Sequence, residues 1–391
     1  MEENNNLYSI KGSTFQAIEL PAIKEVRGKD YMSYGSDNLF PQLLIDLYDN
    51  SAMHHTCIDA ITEGILGEGL ELVGEEYINS NGETIDEILE KITLDYTLYN
   101  GYALNVIWNK EGNAIAEIYH LPFANVRSGK RDEEDKVNEY MYSSNWANLR
   151  KYPFETYKSF DSTDNKKDNA NQVYYCFNYT PGNEVYPLPS YAGALNDINL
   201  DHRISVFHNS NISSGLSPSM IIKMNNGIPT PEAQREIYRS IQDTFEGETN
   251  SGRFFLTFSD GPERAMEVQP IDSANDDYYV TLESRISSRI LTSHRITSPL
   301  LLGLHAGGTG FSSNADEIAV AYAHFEGTVI EPKRKKILST FGYILKLAGY
   351  NVSMKIKPNR LLSMNQVTDQ PGNISQDAPN TESTETYPDE I

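Results

Sequence analysis

Cysteine is nearly absent from this chain: Cys57 and Cys176 are the only two in 391 residues. So few thiols argue against a disulfide scaffold, and without a Cys-x-x-Cys pair there is no zinc ribbon, so a reducing compartment is expected. No apolar run approaches the roughly 18 residues that a membrane helix requires, and the first residues, MEENNNLYSIKGS, lack the basic and apolar regions of a secretory leader. The glycine-rich stretches at 303–310 and 247–253 carry no Gly-Lys-Ser/Thr, which excludes a phosphate loop there. No serine lies in a G-x-S-x-G turn. The eight histidines form no ligand motif, since the adjacent His54 and His55 would diverge on a helix. Carboxylates are plentiful, but none stands in an apolar, pocket-like context that would raise its pKa for acid–base work. No catalytic residue, cofactor-binding residue or metal ligand is assigned, and no cofactor is expected.

Positive charge is also scarce. Against 55 Asp and Glu there are 32 Lys and Arg, a net charge of −23. Such a surface cannot hold nucleic acid tightly as a whole, because phosphates demand Lys and Arg; it could surround DNA without sticking to it. Tyrosine, in contrast, is abundant, with 25 copies, which we read as half-buried strands and interfaces rather than base-stacking platforms.

In chain order, residues 1–35 are polar and read as an extended arm. Two helical patterns follow in 38–66, the second capped by Ser51 and carrying Cys57, Ile58, Ile61 and Ile65. A third amphipathic helix occupies 84–98. From about 101 to 180 the apolar period becomes two, as in Tyr102, Leu104 and Val106, with a solvated charged hairpin at 130–136 and a polar loop at 161–171. Helix returns at 189–214, with an apolar stripe of Leu195, Ile198, Ile204 and Phe207 and with Asp197 and Asp201 one turn apart. Strands are expected at 220–224, 253–258 and 266–269, and a helix opens at Thr230-Pro231-Glu232. Residues 278–295 form a further helix, with Arg285 and Arg289 on one face.

The segment from His294 to Leu345 organises the rest. An apolar run, Pro299 to Leu304, leads into a glycine-rich loop with Gly303, Gly307, Gly308 and Gly310, four glycines in eight residues. A long helix follows, with Ile318, Tyr322, Phe325 and Val329 on one stripe. Pro332 interrupts it, and the basic run Lys333, Arg334, Lys335 and Lys336 restarts it; the plain reading of that run is a solvated face or local balance of acidic neighbours. After a strand-like 354–356, the chain from about 364 is polar, and its charges from Asp369 onward are all acidic, so it is expected to be disordered.

Three stretches in this order resemble the portal proteins of tailed bacteriophages, the head-to-tail connectors of long-tailed phages. GYALNVIWNKEGNAIAEIYHLPFANVR (101–127) is similar to the wing strands. PLPSYAGALNDI (187–198) resembles the start of the first stem helix, and 214–256 resembles the clip. YYVTLESRISSRILTSHRITSPLLLGL (278–304) resembles the second stem helix with its P-x-L-L-G run, and FEGTVIEPKRKKI (325–337) the tunnel helix. Each motif is weak alone; order and spacing make the likeness specific. The two ends depart from the pattern.

The resemblance implies an α+β portal fold: a mixed α/β wing, a helical stem, a small α+β clip and a long tunnel helix. Its parts would be an arm (1–35), wing (36–188), first stem helix (189–214), clip (215–276), second stem helix (277–298), tunnel loop and long helix (299–350), and a short crown or disordered tail (351–391). It further implies a ring of about twelve subunits at one capsid vertex, the route of double-stranded DNA in packaging and ejection. Partners would be the major capsid protein, the large terminase subunit, which carries the ATPase, and a head–tail adaptor, with no membrane. The location would be the virion, and the host cytoplasm during assembly. His305, Gly307, Gly308, Thr309, Gly310 and Phe311 would face the channel. Asp197 and Asp201 would pair with Arg285 and Arg289 between neighbouring stems. Two alternatives stay open: a head–tail adaptor or other virion structural protein, and a carboxylate-based hydrolase. An adaptor would be shorter and would lack the helix–insert–helix–loop–helix order.

If the glycine-rich loop works at the channel, replacing Gly307 and Gly308 with proline will leave ring assembly intact and impair DNA packaging. The comparison is ring formation against packaged DNA length in the double variant. Normal packaging would refute the role, and loss of the ring would make the loop structural.

Overall fold

The structure is a computed structural model; it describes residues 18, 20, 21, 23–25, 28–71, 77–163, 169–213, 220–224, 230, 232–237, 239, 254–258, 267–270, 276–304, 315–350 and 353–356. The chain is α+β. Helices α1 (Phe40–Asn50), α2 (Ala52–Leu66) and α3 (Ile85–Tyr99) precede the main sheet. The boundaries follow local chemistry. Ser51 accepts from the backbone N–H of His54 at the start of α2, and Thr84 and Glu87 form a reciprocal capping box on α3.

The sheet has six strands in the order β5-β4-β9-β8-β7-β6. These are β4 (Gly101–Trp108), β5 (Ile115–Leu121), β6 (Val126–Ser128), β7 (Glu139–Tyr142), β8 (Glu155–Ser159) and β9 (Asn171–Phe177). Every pair is antiparallel except β8 with β9. Gly101 is required at the β4–β9 pairing, because a Cβ there would lie 2.8 Å from both the Cys176 carbonyl oxygen and the Phe177 Cβ. Helix α3 lies on β4 and β5, α2 packs on α3, and the remaining helices gather around α2. One continuous core runs from Tyr34 to Leu345. Tyrosines take a large share of it: Tyr34, Tyr96, Tyr102, Tyr186 and Tyr191 are all buried.

The described part of the N-terminal segment is a two-stranded ribbon, β1 (Ile23–Glu25) against β2 (Met32–Tyr34). It is fastened by Tyr34, whose ring stacks on Tyr186 at 4.1 Å and whose hydroxyl donates to the Pro187 carbonyl. A short strand β3 (Leu70–Glu71) pairs with β13 (Ser353–Ile356), bringing residues 353–356 back onto the body.

Helices α4 (Leu195–Ser213) and α5 (Asp276–Ser293) flank a three-stranded sheet in the order β11-β10-β12, built from β10 (Met220–Met224), β11 (Phe254–Phe258) and β12 (Glu267–Pro270). Strand β10 is parallel to β11 and antiparallel to β12. Thr230 caps the helical residues 232–237 as its sequence implies, accepting from the Ala233 N–H at 3.4 Å. One position departs from expectation: Phe207 in the α4 stripe is 42% exposed while Ile198 and Ile204 are buried.

The long helix also departs from the sequence reading. Pro332 does not interrupt it. Helix α6 (Ala315–Phe325) passes through a π turn, Glu326–Ile330, directly into α7 (Glu331–Leu347). Proline has no N–H to give, and the widened turn, with Glu331 N–H on the Glu326 carbonyl, places it in the first turn of α7 where none is needed. Ile330 from this turn fits against Gly64 of α2, where a Cβ would come within 2.8 Å of its Cδ1.

The buried guanidinium of Arg127 joins the sheet to the helices. It is 0% exposed and has no carboxylate partner among its bonds. Nε donates to the Asn38 side chain at 2.8 Å, one terminal nitrogen to the Ala124 and Val126 carbonyls, and the other to the Asn38 carbonyl and Gln42. Trp146 and Tyr34 cover its faces at 4.9 and 5.9 Å. Lysine cannot reproduce this fork. Arg127→Lys should therefore cost about 3 kcal/mol or more, read as a loss in urea-unfolding free energy; a change below about 1 kcal/mol would mean the network is not a structural anchor.

Candidate channel, stem and helix-junction sites

The glycine-rich loop is framed but not itself described: His305, Gly307, Gly308, Thr309, Gly310 and Phe311 lie outside the described residues. Its N-terminal frame is a 3-10 turn, Pro299–Leu302, capped by Ser298, whose side chain accepts from the Leu300 N–H. Gly303 ends that turn at φ 73°, a left-handed conformation that suits glycine. Leu304 is 40% exposed.

The stem residues divide. Asp197 and Arg289 meet within one chain, at 3.1 Å, across the α4–α5 pair. His208 and Glu283 form a second link at 3.1 Å, so the helices run antiparallel. Asp201 accepts from the Ser51 hydroxyl at 2.7 Å, tying α4 to the first turn of α2. Arg285 is exposed. Two of the four residues expected to act between subunits thus already pair with each other inside the chain.

The basic run divides too. Arg334 is a structural residue: it donates to the Gly64 and Ile65 carbonyls at 2.5 and 3.0 Å and to Glu326 at 2.7 Å, with Glu331 at 3.2 Å. It therefore satisfies orphan carbonyls at the C-terminus of α2, where a cation also meets the negative end of the helix dipole. The ammonium of Lys333 sits 5.5 Å over the Tyr96 ring, and burial holds its pKa down to about 8. Lys335 and Lys336 are exposed. The expected balance with acidic neighbours is thus met by Arg334, and the solvated face by Lys335 and Lys336.

Sequence reasoning missed a buried histidine pair. Nδ1 of His54 lies 2.9 Å from Nε2 of His294, and the two residues are 0% and 3% exposed. Tyr191 packs against both rings. His54 and His55 diverge, as adjacency on a helix requires: His55 instead stacks on Tyr48 and pairs with Asp59. Nothing local marks a partner 240 positions away. Among the described residues no group of three or more His, Cys, Asp or Glu side chains could hold a metal ion, and no helix is long and apolar enough to cross a membrane.

No family model matches the chain. It is 26% identical over 145 residues to a probable portal protein of Haemophilus phage HP1 (strain HP1c1). That match covers 36% of this chain and 42% of the relative, so it spans less than half of either. Among solved structures, the neck of a native GTA particle computed with C12 symmetry superposes with a TM-score of 0.54 at 14% identity, over 83% of this chain and 87% of that one. A chain from the virion of a native gene transfer agent particle gives 0.54 at 13%, over 86% and 92%. At such identities the likeness is one of fold. The resemblance to phage portal proteins read from the sequence is therefore matched by a curated portal protein, and the α+β fold by particle-neck chains.

The division within the basic run has a measurable consequence. Arg334→Gln should lower the unfolding free energy by about 2 kcal/mol, whereas Lys335→Gln and Lys336→Gln should stay within about 0.5 kcal/mol. Urea unfolding of the three variants side by side checks this; equal effects would refute the assignment.

Proposed function

We propose that this chain is a portal protein: one subunit of a ring at a capsid vertex through which double-stranded DNA enters and leaves. The observation that carries the reading is a fold shared over more than four-fifths of the chain with the neck of a particle computed with C12 symmetry, joined to sequence likeness to a phage portal protein. In this reading the ring has about twelve subunits, works without enzymatic activity of its own, and docks capsid protein, terminase and a head–tail adaptor. It resides in the virion and is assembled in the host cytoplasm.

Physical chemistry supports the reading. A net charge of −23 suits a wall past which DNA slides, since an acidic wall repels phosphates and a basic one traps them. Val206 on α4 and Val320 on α6 are 53% and 71% exposed, apolar surface that neighbouring subunits would cover. With Arg289 engaged by Asp197, the exposed Arg285 is the stem cation left to meet an adjacent subunit. The uncharged side chains expected in the glycine-rich loop, Thr309 and Phe311, would touch DNA weakly and without sequence preference.

Negative-stain images of the purified protein should show rings of about twelvefold symmetry with a central hole. Monomers alone at high concentration would overturn the proposal. Arg285→Glu should shift the ring toward monomer at low salt in light scattering, while Arg289→Glu should also lower the melting temperature of the monomer; exposed pairs contribute about 0–1 kcal/mol each, so the effect depends on its repetition around the ring. An unchanged ring in Arg285→Glu would remove that residue from the interface.

A further inference from the structure

The buried His54–His294 pair sits where the arm formed by α4 and α5 meets the body. His54 lies in the first turn of α2, the helix around which the others gather. His294 follows the last residue of α5. The bond between them requires one ring nitrogen to donate and the other to keep its lone pair, so at least one of the two rings must be neutral. Protonating both rings puts N–H groups on both sides of a 2.9 Å contact, and charging even one places a cation among residues that are 0% and 3% exposed. The other ring nitrogen of His54 is buried and without a hydrogen-bond partner, so that ring has no group ready to accept an additional proton's N–H.

The groups facing the pair worsen the cost of a charge. On α7, Lys333 bears on His294; next in sequence to His294 stands Arg295. On α2, His55 is adjacent and is turned toward Asp59. Tyr191 contributes a ring whose hydroxyl donates elsewhere, to the Leu98 carbonyl. From α4, Asp201 reaches only the Ser51 hydroxyl. Among the described residues, neither imidazole has a carboxylate partner. Burial, then His55, holds the His54 pKa down to about 3, and burial with His54 and Lys333 holds His294 well below the usual imidazole range.

The backbone at the same point is strained. Arg295 has φ 60°, and its N–H bonds the Thr292 carbonyl while the Ile296 N–H reaches back to Leu291. This is a Schellman ending, whose left-handed position is normally glycine. Helix α7 ends in the same pattern with Gly349 at φ 87°. An arginine there costs about 1–2 kcal/mol and is held by its surroundings, including buried Ile296 and the histidine pair.

We propose that the His54–His294 contact is an acid-released latch, which locks the end of α5 and the strained Arg295 turn onto α2 when both rings are neutral and lets that joint open when they are protonated. The sign follows from the depressed values. The latch is fully closed above the open-state imidazole pKa, about 6.5, and loses stability as the pH falls below it. The inference is independent of any role in a virion.

Hydrogen exchange of the full chain, corrected for intrinsic rates, tests it. Between pH 7 and pH 5 the opening of peptides spanning 276–304 should rise about twenty-five-fold, the factor for one ring with an open-state pKa near 6.5. His54→Gln with His294→Gln, whose amides bond without titrating, should abolish the rise. The same rise in the double variant would overturn the proposal. Should that variant fail to fold, ring proton signals of the native protein decide: two of the eight histidines must stay neutral until the 276–304 exchange accelerates. If all eight titrate near the ordinary imidazole value without such acceleration, the latch does not exist.

Discussion

A charge in the interior must be matched by polar atoms, and Arg127 shows how much of this fold is arranged to do so. Its five hydrogen bonds reach the loop before α1, helix α1 and the turn before β6, and its flat faces carry aromatic rings from β2 and from the 3-10 turn at Trp146. Asn38, which offers it two of those bonds, takes φ 65° to do so. A guanidinium answered by carbonyls rather than a carboxylate tolerates no looseness, because removing any acceptor leaves a buried donor unmet. The geometry of the sheet edge against the helices is therefore fixed at one point, and the tyrosine stack of Tyr34 on Tyr186 extends that fixation to the N-terminal ribbon.

Charge elsewhere follows the same logic at lower stakes. Among the described residues the carboxylates lie mostly on exposed loops and helix faces. The few cations placed inside have specific duties: Arg334 closes the end of α2, and Lys333 rests over Tyr96. Helix α2 thus receives a side-chain cap at each end, Ser51 at its start and Arg334 at its finish. That suits its position as the element shared by the body, the α4–α5 pair and the long helix.

Much of this was legible in the chain. Ser51 and Thr84 announced helix starts because capping is a local bond. The strands at 101–108 and 220–224 declared themselves by their residue types. The portal resemblance rested on motif order, which survives where single motifs are weak. What could not be read depends on contacts between distant positions. His54 looked unremarkable because its partner is His294. Arg127 was read only as the end of the 101–127 stretch, since nothing nearby in sequence says that it is sealed under Trp146. The stem charges showed correct helix faces but not that Asp197 would choose the Arg289 of its own chain.

The π turn at Glu326–Ile330 is also a counting device. The apolar stripe of Ile318, Tyr322, Phe325 and Val329 would run on, in an unbroken α-helix, to Lys333, Lys336 and Thr340. Past the π turn the buried residues include instead Ile337, Phe341 and Ile344, each one position later than that stripe would place them. One residue is absorbed without contributing to the advance of the stripe, as a π turn does. Lys333 and Lys336 of the basic run therefore stand where the old stripe would have continued, and α6, which leads out of the glycine-rich loop, is rotated out of step with the α7 that anchors it.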